Sequence, residues 1–252
     1  MTTSFYTGMT GLIAEQQAMN IYSNNIANIN TVGYKPLRPS FADCVYTIQR
    51  ETELDWQTGH GAYVYKTDFM YEQSGFQTTE QPLDFAIGGD CYFMVADRDG
   101  QTYLTRDGSF NLTNNVDSGQ WELVNDAGEY VLDREGNHIP IPFLMGINEL
   151  GDEYTTTDID YDALQDAIGL FAVPNNFGLD QADTNHFAVT ARSGNPVPVT
   201  AGYQLERGYL EMSAVDLATE MVHLIETQRA YQLASKVIST SDELARIANN
   251  LR

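Results

Sequence analysis

Four histidines and two cysteines are the residues of this chain best suited to metal or nucleophilic chemistry, and their spacing excludes most of it. His60, His138, His186 and His223 form no HxxxH or HExxH pair, so no helix turn brings two imidazoles to one zinc ion. Cys44 and Cys91 lie far apart and without partner spacing, which implies neither a disulfide scaffold nor a zinc site. Asp158, Asp160 and Asp162 imitate the start of a calcium loop, but Ala163 stands at the sixth position and Gly169 at the twelfth. A calcium loop needs Gly and a bidentate Glu there, so the stretch 148–166 reads as a solvated acidic loop with at most one short helix. Gly88-Gly89 fits neither phosphate-loop pattern and reads as a turn. No Gly-x-Ser-x-Gly elbow or cysteine–histidine signature is present, and carboxylates are too numerous in the middle for any pair to stand out. The sequence therefore points to no catalytic residue, no cofactor site and no metal site.

The elements that could position such groups are better marked, first by charge. The 252 residues carry 35 Asp+Glu and 13 Lys+Arg, a net charge of −22. Residues 1–50 hold two acids and three bases, and 207–252 six acids and five bases; residues 51–206 hold 27 acids and five bases. The acid is thus confined to the middle, and a chain this acidic is not a nucleic-acid binder. The longest apolar run is Cys91–Ala96, far short of the roughly 20 residues that cross a bilayer, so no membrane insertion is expected. The first twenty residues lack Lys and Arg, so no cleavable secretory signal is expected either.

The two ends read as helices. Phe5, Leu12, Met19 and Ile26 recur at sevens near the N-terminus, with Met9, Ile13, Tyr22 and Ile29 on neighbouring faces. Leu210, Leu217, Leu224, Tyr231 and Ile238 repeat at sevens near the C-terminus, and Val237, Leu244 and Leu251 form a second row. Sustained seven-residue spacing is a coiled-coil signal, and two rows on one helix suggest more than one partner. Ser213 with Asp216 resembles a capping box that starts the C-terminal helix near Ala214, and from there to Asn250 it would extend about 55 Å. Glu226–Arg229 and Asp242–Arg246 have helix ion-pair spacing, while Ser239–Ser241 could bend the rod. Glu15 is the sole charge in residues 1–34, whose polar positions are amides such as Asn20, Asn24, Asn25, Asn28 and Asn30. Amides can pair with neighbours on several sides without the desolvation cost of charges. Gly33 and Pro36 end the segment.

The middle reads as β. Cys91–Ala96, Gln101–Thr105, Trp121–Val124, Glu129–Leu132 and His138–Ile141 are separated by turn dipeptides such as Asp99-Gly100 and Glu135-Gly136, the pattern of antiparallel hairpins. A second β block covers Ile168–Val173 and His186–Thr190 before the Pro/Gly-rich stretch Ser193–Gly202. The fold class expected is α+β, with coiled-coil-type helices at the N- and C-termini and a mainly antiparallel β middle domain.

With these elements placed, the chain resembles the bacterial flagellar axial proteins of the rod and hook. Ser23–Lys35 (SNNIANINTVGYK) is similar to their N-terminal signature, and Gly208–Met221 (GYLEMSAVDLATEM) to their C-terminal one, which continues through Gln228–Tyr231 and Lys236–Asp242. Leu83–Gly89, Tyr103–Phe110 and Ser193–Pro196 are similar to family stretches in the same order. The resemblance implies a structural, non-enzymatic subunit of the flagellar basal body. It also implies export through the flagellar type III apparatus and polymerisation with itself and with neighbouring rod and hook proteins.

The implied organisation is a coiled-coil helix over 1–34, an extended connector over 35–82, an outer β-rich domain over 83–206 and a coiled-coil helix over 207–252. The assembly residues expected are Phe5, Leu12, Met19, Asn24, Asn25, Ile26, Asn28, Leu210, Leu217, Met221, Leu224, Gln228, Arg229, Tyr231, Ile238 and Leu244. The C-terminal motif favours a distal-type rod subunit, with a proximal rod subunit or a short hook protein as alternatives. A calcium-binding adhesin and a cytosolic coiled-coil adaptor are the readings from other classes.

Overall fold

The computed structural model describes residues 3–45, 47–49, 56–115, 119–147, 153–182, 185–200 and 202–250. The chain forms two compact units. One comprises Met1–Ile29, Lys35–Met70 and Val215–Arg252, the other Asn30–Tyr34 and Tyr71–Ala214. The class is α+β, with helices at both ends and an antiparallel β middle.

In the first unit, α1 (Thr3–Ala27) stops earlier than its amide-rich sequence suggests. Asn28 closes the last turn, its Nδ2 donating to the carbonyl and to Oδ1 of Asn24, both at 2.9 Å, which adds a side-chain bond to a carbonyl that already accepts the Asn28 N–H at 3.1 Å. The strands Leu37–Asp43 and Ala62–Phe69 follow as an antiparallel pair with a register shift at Ser40/Phe41. Thr47–Gln49 pairs with Trp56–Thr58. Residues 35–82, expected as an extended connector, thus contain ladder strands.

The second unit is built on a nine-stranded antiparallel sheet. Along it the strands run Asp180–Gln181, His186–Ala188, Thr102–Thr105, Tyr92–Ala96, Tyr130–Val131, Trp121–Asn125 and Phe110–Asn114. Leu170–Ala172 branches from Tyr92–Ala96 and carries Val197–Pro198. Phe85, Phe93, Val95, Phe110, Leu123 and Val131 fill the core. His138–Ile141, expected as a strand, makes only single bridges, Leu132 to His138 and Glu122 to Pro140. Pro140 has no N–H to extend a ladder.

Of the stretch 148–166 expected as an acidic loop, residues 148–152 lie outside the described residues, and the rest forms a strand and a helix. Glu153–Ile159 pairs with Phe143–Ile147, in keeping with the β preference of Thr155-Thr156-Thr157, and α2 (Tyr161–Ala167) follows. The three aspartates that imitate a calcium loop belong to this strand-to-helix join. Asp160 is the N-cap, its Oδ1 accepting from the N–H groups of Asp162 and Ala163 at 3.2 and 3.1 Å, which is ordinary capping chemistry.

α3 runs unbroken from Leu217 to Asn250, about 50 Å at 1.5 Å per residue. Two expectations are corrected here. Asp216, not Ser213, caps the helix, accepting from the Ala218 N–H at 3.2 Å and the Thr219 hydroxyl at 2.6 Å. Leu210 is not on the helix at all but on a strand, Tyr209–Glu211, paired with Phe76–Thr78. Hydroxyls of Ser239 and Thr240 bond back to the carbonyls of Ser235 and Lys236, so this polar stretch does not break the rod.

Candidate assembly surface

The helices α1 and α3 pack antiparallel, and a few contacts fix their register. Ser4 Oγ meets Ser241 Oγ at 3.2 Å, the Tyr22 ring stacks on His223 at 5.1 Å, and Asn25 Nδ2 donates to Glu220 Oε2 at 3.1 Å. Gly8 lies so close to α3 that an added Cβ would sit 3.1 Å from Cγ1 of Ile238 and 3.6 Å from the Ala234 carbonyl oxygen. The buried residues of α1 are Gly8, Ala14, Ala18 and Asn25, and those of α3 are Thr227 and Ser241. The most buried positions of the two helices are therefore small or polar, and at Gly8 the absence of a side chain lets Ile238 and the α3 backbone come close.

The sequence-derived row on α1 is displaced from this seam. Phe5, Leu12, Met19 and Ile26 are each half-buried, and Phe5, Met19 and Ile26 directly follow the seam residues Ser4, Ala18 and Asn25. On α3 the expected Leu224, Tyr231 and Ile238 are half-buried along the seam, whereas Leu217, Met221, Gln228, Arg229 and Leu244 are exposed. Leu251 lies outside the described residues. Asn24 is exposed and Asn28 half-buried, both spent on the helix end. Among the described residues Glu226 pairs with His223 at 3.6 Å rather than with Arg229, and Asp242 and Arg246 form no ion pair.

Large apolar side chains instead face outwards. Tyr6, Met9 and Ile13 are exposed at helical spacing on α1, and Met221, Val222, Ile225, Leu233, Val237, Leu244 and Ile247 on α3. A surface helix normally presents charge on its wet side, and exposed apolar side chains grouped on helix faces mark interaction surfaces. Glu15 on α1 is half-buried, and burial pushes its carboxyl above the usual value of 4.5. Burial raises the Tyr22 phenol too, helped by the negative charge of Glu220.

Asn25 has a role the periodicity does not convey. Fully buried, it donates to the Leu37 carbonyl at 2.8 Å and accepts from the Leu37 N–H at 2.9 Å, besides its bond to Glu220. One amide thus ties α1, the strand that follows it and α3.

In the second unit, three of the sequence signatures meet at one point. Arg106, from Tyr103–Phe110, donates from Nη1 to Glu211 Oε2 at 3.2 Å, and Glu211 comes from the C-terminal signature. Gly33, from the N-terminal signature, has φ +65° and lies on the Arg106 backbone, where a Cβ would come within 2.8 Å of the carbonyl carbon. Only glycine suits both the left-handed conformation and the lack of space. Residue type and spacing mark Gly33 only as a helix end and do not mark Arg106 or Glu211; all three sit inside family-like motifs, which is the signal that points to them.

The catalytic candidates set aside earlier hold structural positions. His186 faces Glu129 at 2.8 Å and His138 faces Glu122 at 3.2 Å, with the Tyr130 ring stacked on His138 at 4.4 Å. Cys91 is buried and its thiol pushed up chiefly by that burial, which makes it a poor nucleophile. Among the described residues no three His, Cys, Asp or Glu side chains gather as metal ligands.

Comparison with known proteins agrees with this architecture. Three family models match: "Flagella basal body rod protein" over residues 5–35, "Flagellar hook protein FlgE/F/G D1 domain" over 86–162 and "Flagellar basal body rod FlgEFG protein C-terminal" over 206–251. They define a subunit class of the flagellar axis, and full-length relatives narrow it. The chain is 36% identical to the flagellar basal-body rod protein FlgG of Buchnera aphidicola subsp. Schizaphis graminum, over 97% of both chains. It is 35% identical to FlgG of Bacillus subtilis over the whole of both, and 33% identical to FlgG of Borreliella burgdorferi over 100% of this chain and 99% of the relative. The chain belongs to the flagellar basal-body rod protein family, whose members are structural rather than enzymatic.

Proposed function

We propose that this protein is a structural subunit of the distal rod of the bacterial flagellar basal body, polymerising into the hollow shaft that carries torque from motor to hook. The end-to-end similarity to FlgG relatives carries this reading, and it favours the distal rod over a proximal rod subunit or a short hook protein. The outward apolar residues of α1 and α3 support the mechanical part. Once the small seam between the helices is closed, those side chains remain to be buried against copies of the chain and neighbouring rod and hook proteins. A helical array with such heterologous contacts grows without closing on itself. The neutral ends pack without strong mutual repulsion, while the acid is carried by the middle of the chain. Export by the flagellar type III apparatus completes the proposal.

The test is deletion of the gene followed by complementation with a tagged copy. Motility and hook formation should be lost and restored, and the tag should be found by immunogold microscopy on the hook-side part of purified rods. A tag confined to the motor-side rod or to the hook would reject the distal assignment. Normal basal bodies in the deletion strain would reject the rod function itself.

A further inference from the structure

Residues 204–214 cross the β unit as a strap. Gln204–Arg207 pairs with Phe85–Gly88, and Tyr209–Glu211 with Phe76–Thr78. Between the two pairings, the Gly208 N–H donates to the Asp84 carbonyl at 2.8 Å and its carbonyl accepts from the Thr79 N–H at 2.9 Å. Further on, the Met212 N–H reaches the Gly75 carbonyl at 2.9 Å and the Ala214 N–H the Tyr34 carbonyl at 3.0 Å. The Gly33 N–H returns a bond to the Glu211 carbonyl at 2.9 Å. One late segment thus satisfies backbone groups from 33–34, 75–79 and 84–88.

Beneath the strap lies a buried charge pair. The Arg106 and Glu211 side chains are 3% and 0% exposed. Besides Glu211, Arg106 bonds the Gly89 carbonyl through Nη2 at 2.7 Å and lies over the Tyr92 ring at 5.0 Å. Burial pushes the Tyr92 phenol up to about 12, against the pull of Arg106. Glu211 Oε1 accepts from the Ser74 N–H at 3.1 Å. With the strap lifted, two strand edges lose their partners and the Arg106 guanidinium loses the Glu211 carboxylate, and a buried charge left without its partner is strongly unfavourable.

We propose that residues 204–214 are a closing strap, so that the β unit reaches its cooperative fold only when this segment is seated over Arg106. Closure then depends on pairing residues 105 apart in sequence, a non-local step that is intrinsically slow. The early strands stay uncommitted until nearly the whole chain is available. For a subunit exported before it assembles, that delay keeps the chain open; this use rests on the export reading, whereas the strap does not.

Pulse-labelled hydrogen exchange during refolding of the full chain from urea tests the strap. The core amide of Leu132, bonded to the Met94 carbonyl, should gain protection in the same phase as the strap amides of Gly208 and Met212. Protection of Leu132 in an earlier phase would overturn the proposal whatever the variants do. Glu211→Gln should slow the shared phase by about tenfold, while Glu206→Gln, on the exposed side of the strap, should change it by less than about twofold. Equal refolding rates for the two variants would also overturn it.

Discussion

Asn25 on α1 and Leu37 at the start of the next strand are bonded in both directions, amide to carbonyl at 2.8 Å and N–H to amide oxygen at 2.9 Å. The side chain mimics a backbone peptide group and so turns the chain from helix to strand. Asn25→Ala strands both polar groups of Leu37 together with Glu220, and each unmet buried group costs about 1–3 kcal/mol. The expected loss is about 2–3 kcal/mol in urea unfolding. A loss below about 0.5 kcal/mol would show that water replaces the amide freely.

Gly8 sets how closely the helices approach. Gly8→Leu should force α1 away from Ile238 and Ala234 and cost about 1–3 kcal/mol through overpacking. The check is a lowered melting temperature, with the Ser4–Ser241 contact probed by crosslinking a cysteine pair placed there.

Leu224 and Leu244 separate folding from assembly. Leu224 is half-buried on the seam, so Leu224→Asp should both destabilise the free subunit and block assembly by placing a carboxylate against apolar neighbours. Leu244 is 67% exposed, so Leu244→Asp should leave the melting temperature of the subunit unchanged while abolishing rod incorporation. Electron microscopy of basal bodies, beside thermal melts of purified protein, distinguishes the two.

Asp160→Ala should cost about 1 kcal/mol because it removes the α2 cap, while leaving rod assembly intact. Added calcium should not raise the melting temperature of the wild-type protein, since Oδ1 of Asp160 is committed to backbone N–H groups. A calcium-dependent rise would reopen the adhesin reading.

Glu15 gives a pH signature. Its folded carboxyl is raised above 4.5 by burial, so between the two values the native state holds more protons than the unfolded chain. Stability therefore falls as pH rises through that interval. Glu15→Gln should be more stable than wild type at pH 7 and equal to it at about pH 3.5. Asp216 acts with the opposite sign: the Thr219 hydroxyl and the Ala218 N–H hold it below 3.8, and its contribution is lost as pH falls through the lowered value. Urea midpoints of the Gln variant against wild type at both pH values isolate the Glu15 effect.

Periodicity and charge were enough to place the two terminal helices and to confine the acid to the middle, because amphipathic spacing and turn dipeptides are local properties that neighbouring residues display in order. Motif likeness was enough for the family. The partners were not readable. Phe5, Leu12, Met19 and Ile26 form the most regular apolar row of the N-terminus, yet the structure seats α1 on Gly8, Ala18 and Asn25, since close backbone approach rewards small side chains that a hydrophobicity pattern does not register. Leu210 continues the seven-residue spacing perfectly and still lies on a strand, because pairing with Phe76–Thr78 outweighs local helical propensity. Arg106 and Glu211 meet only when the sheet brings distant segments together. Which residues of a motif bear on one another is a question of three-dimensional proximity, and for this chain only the tertiary structure answered it.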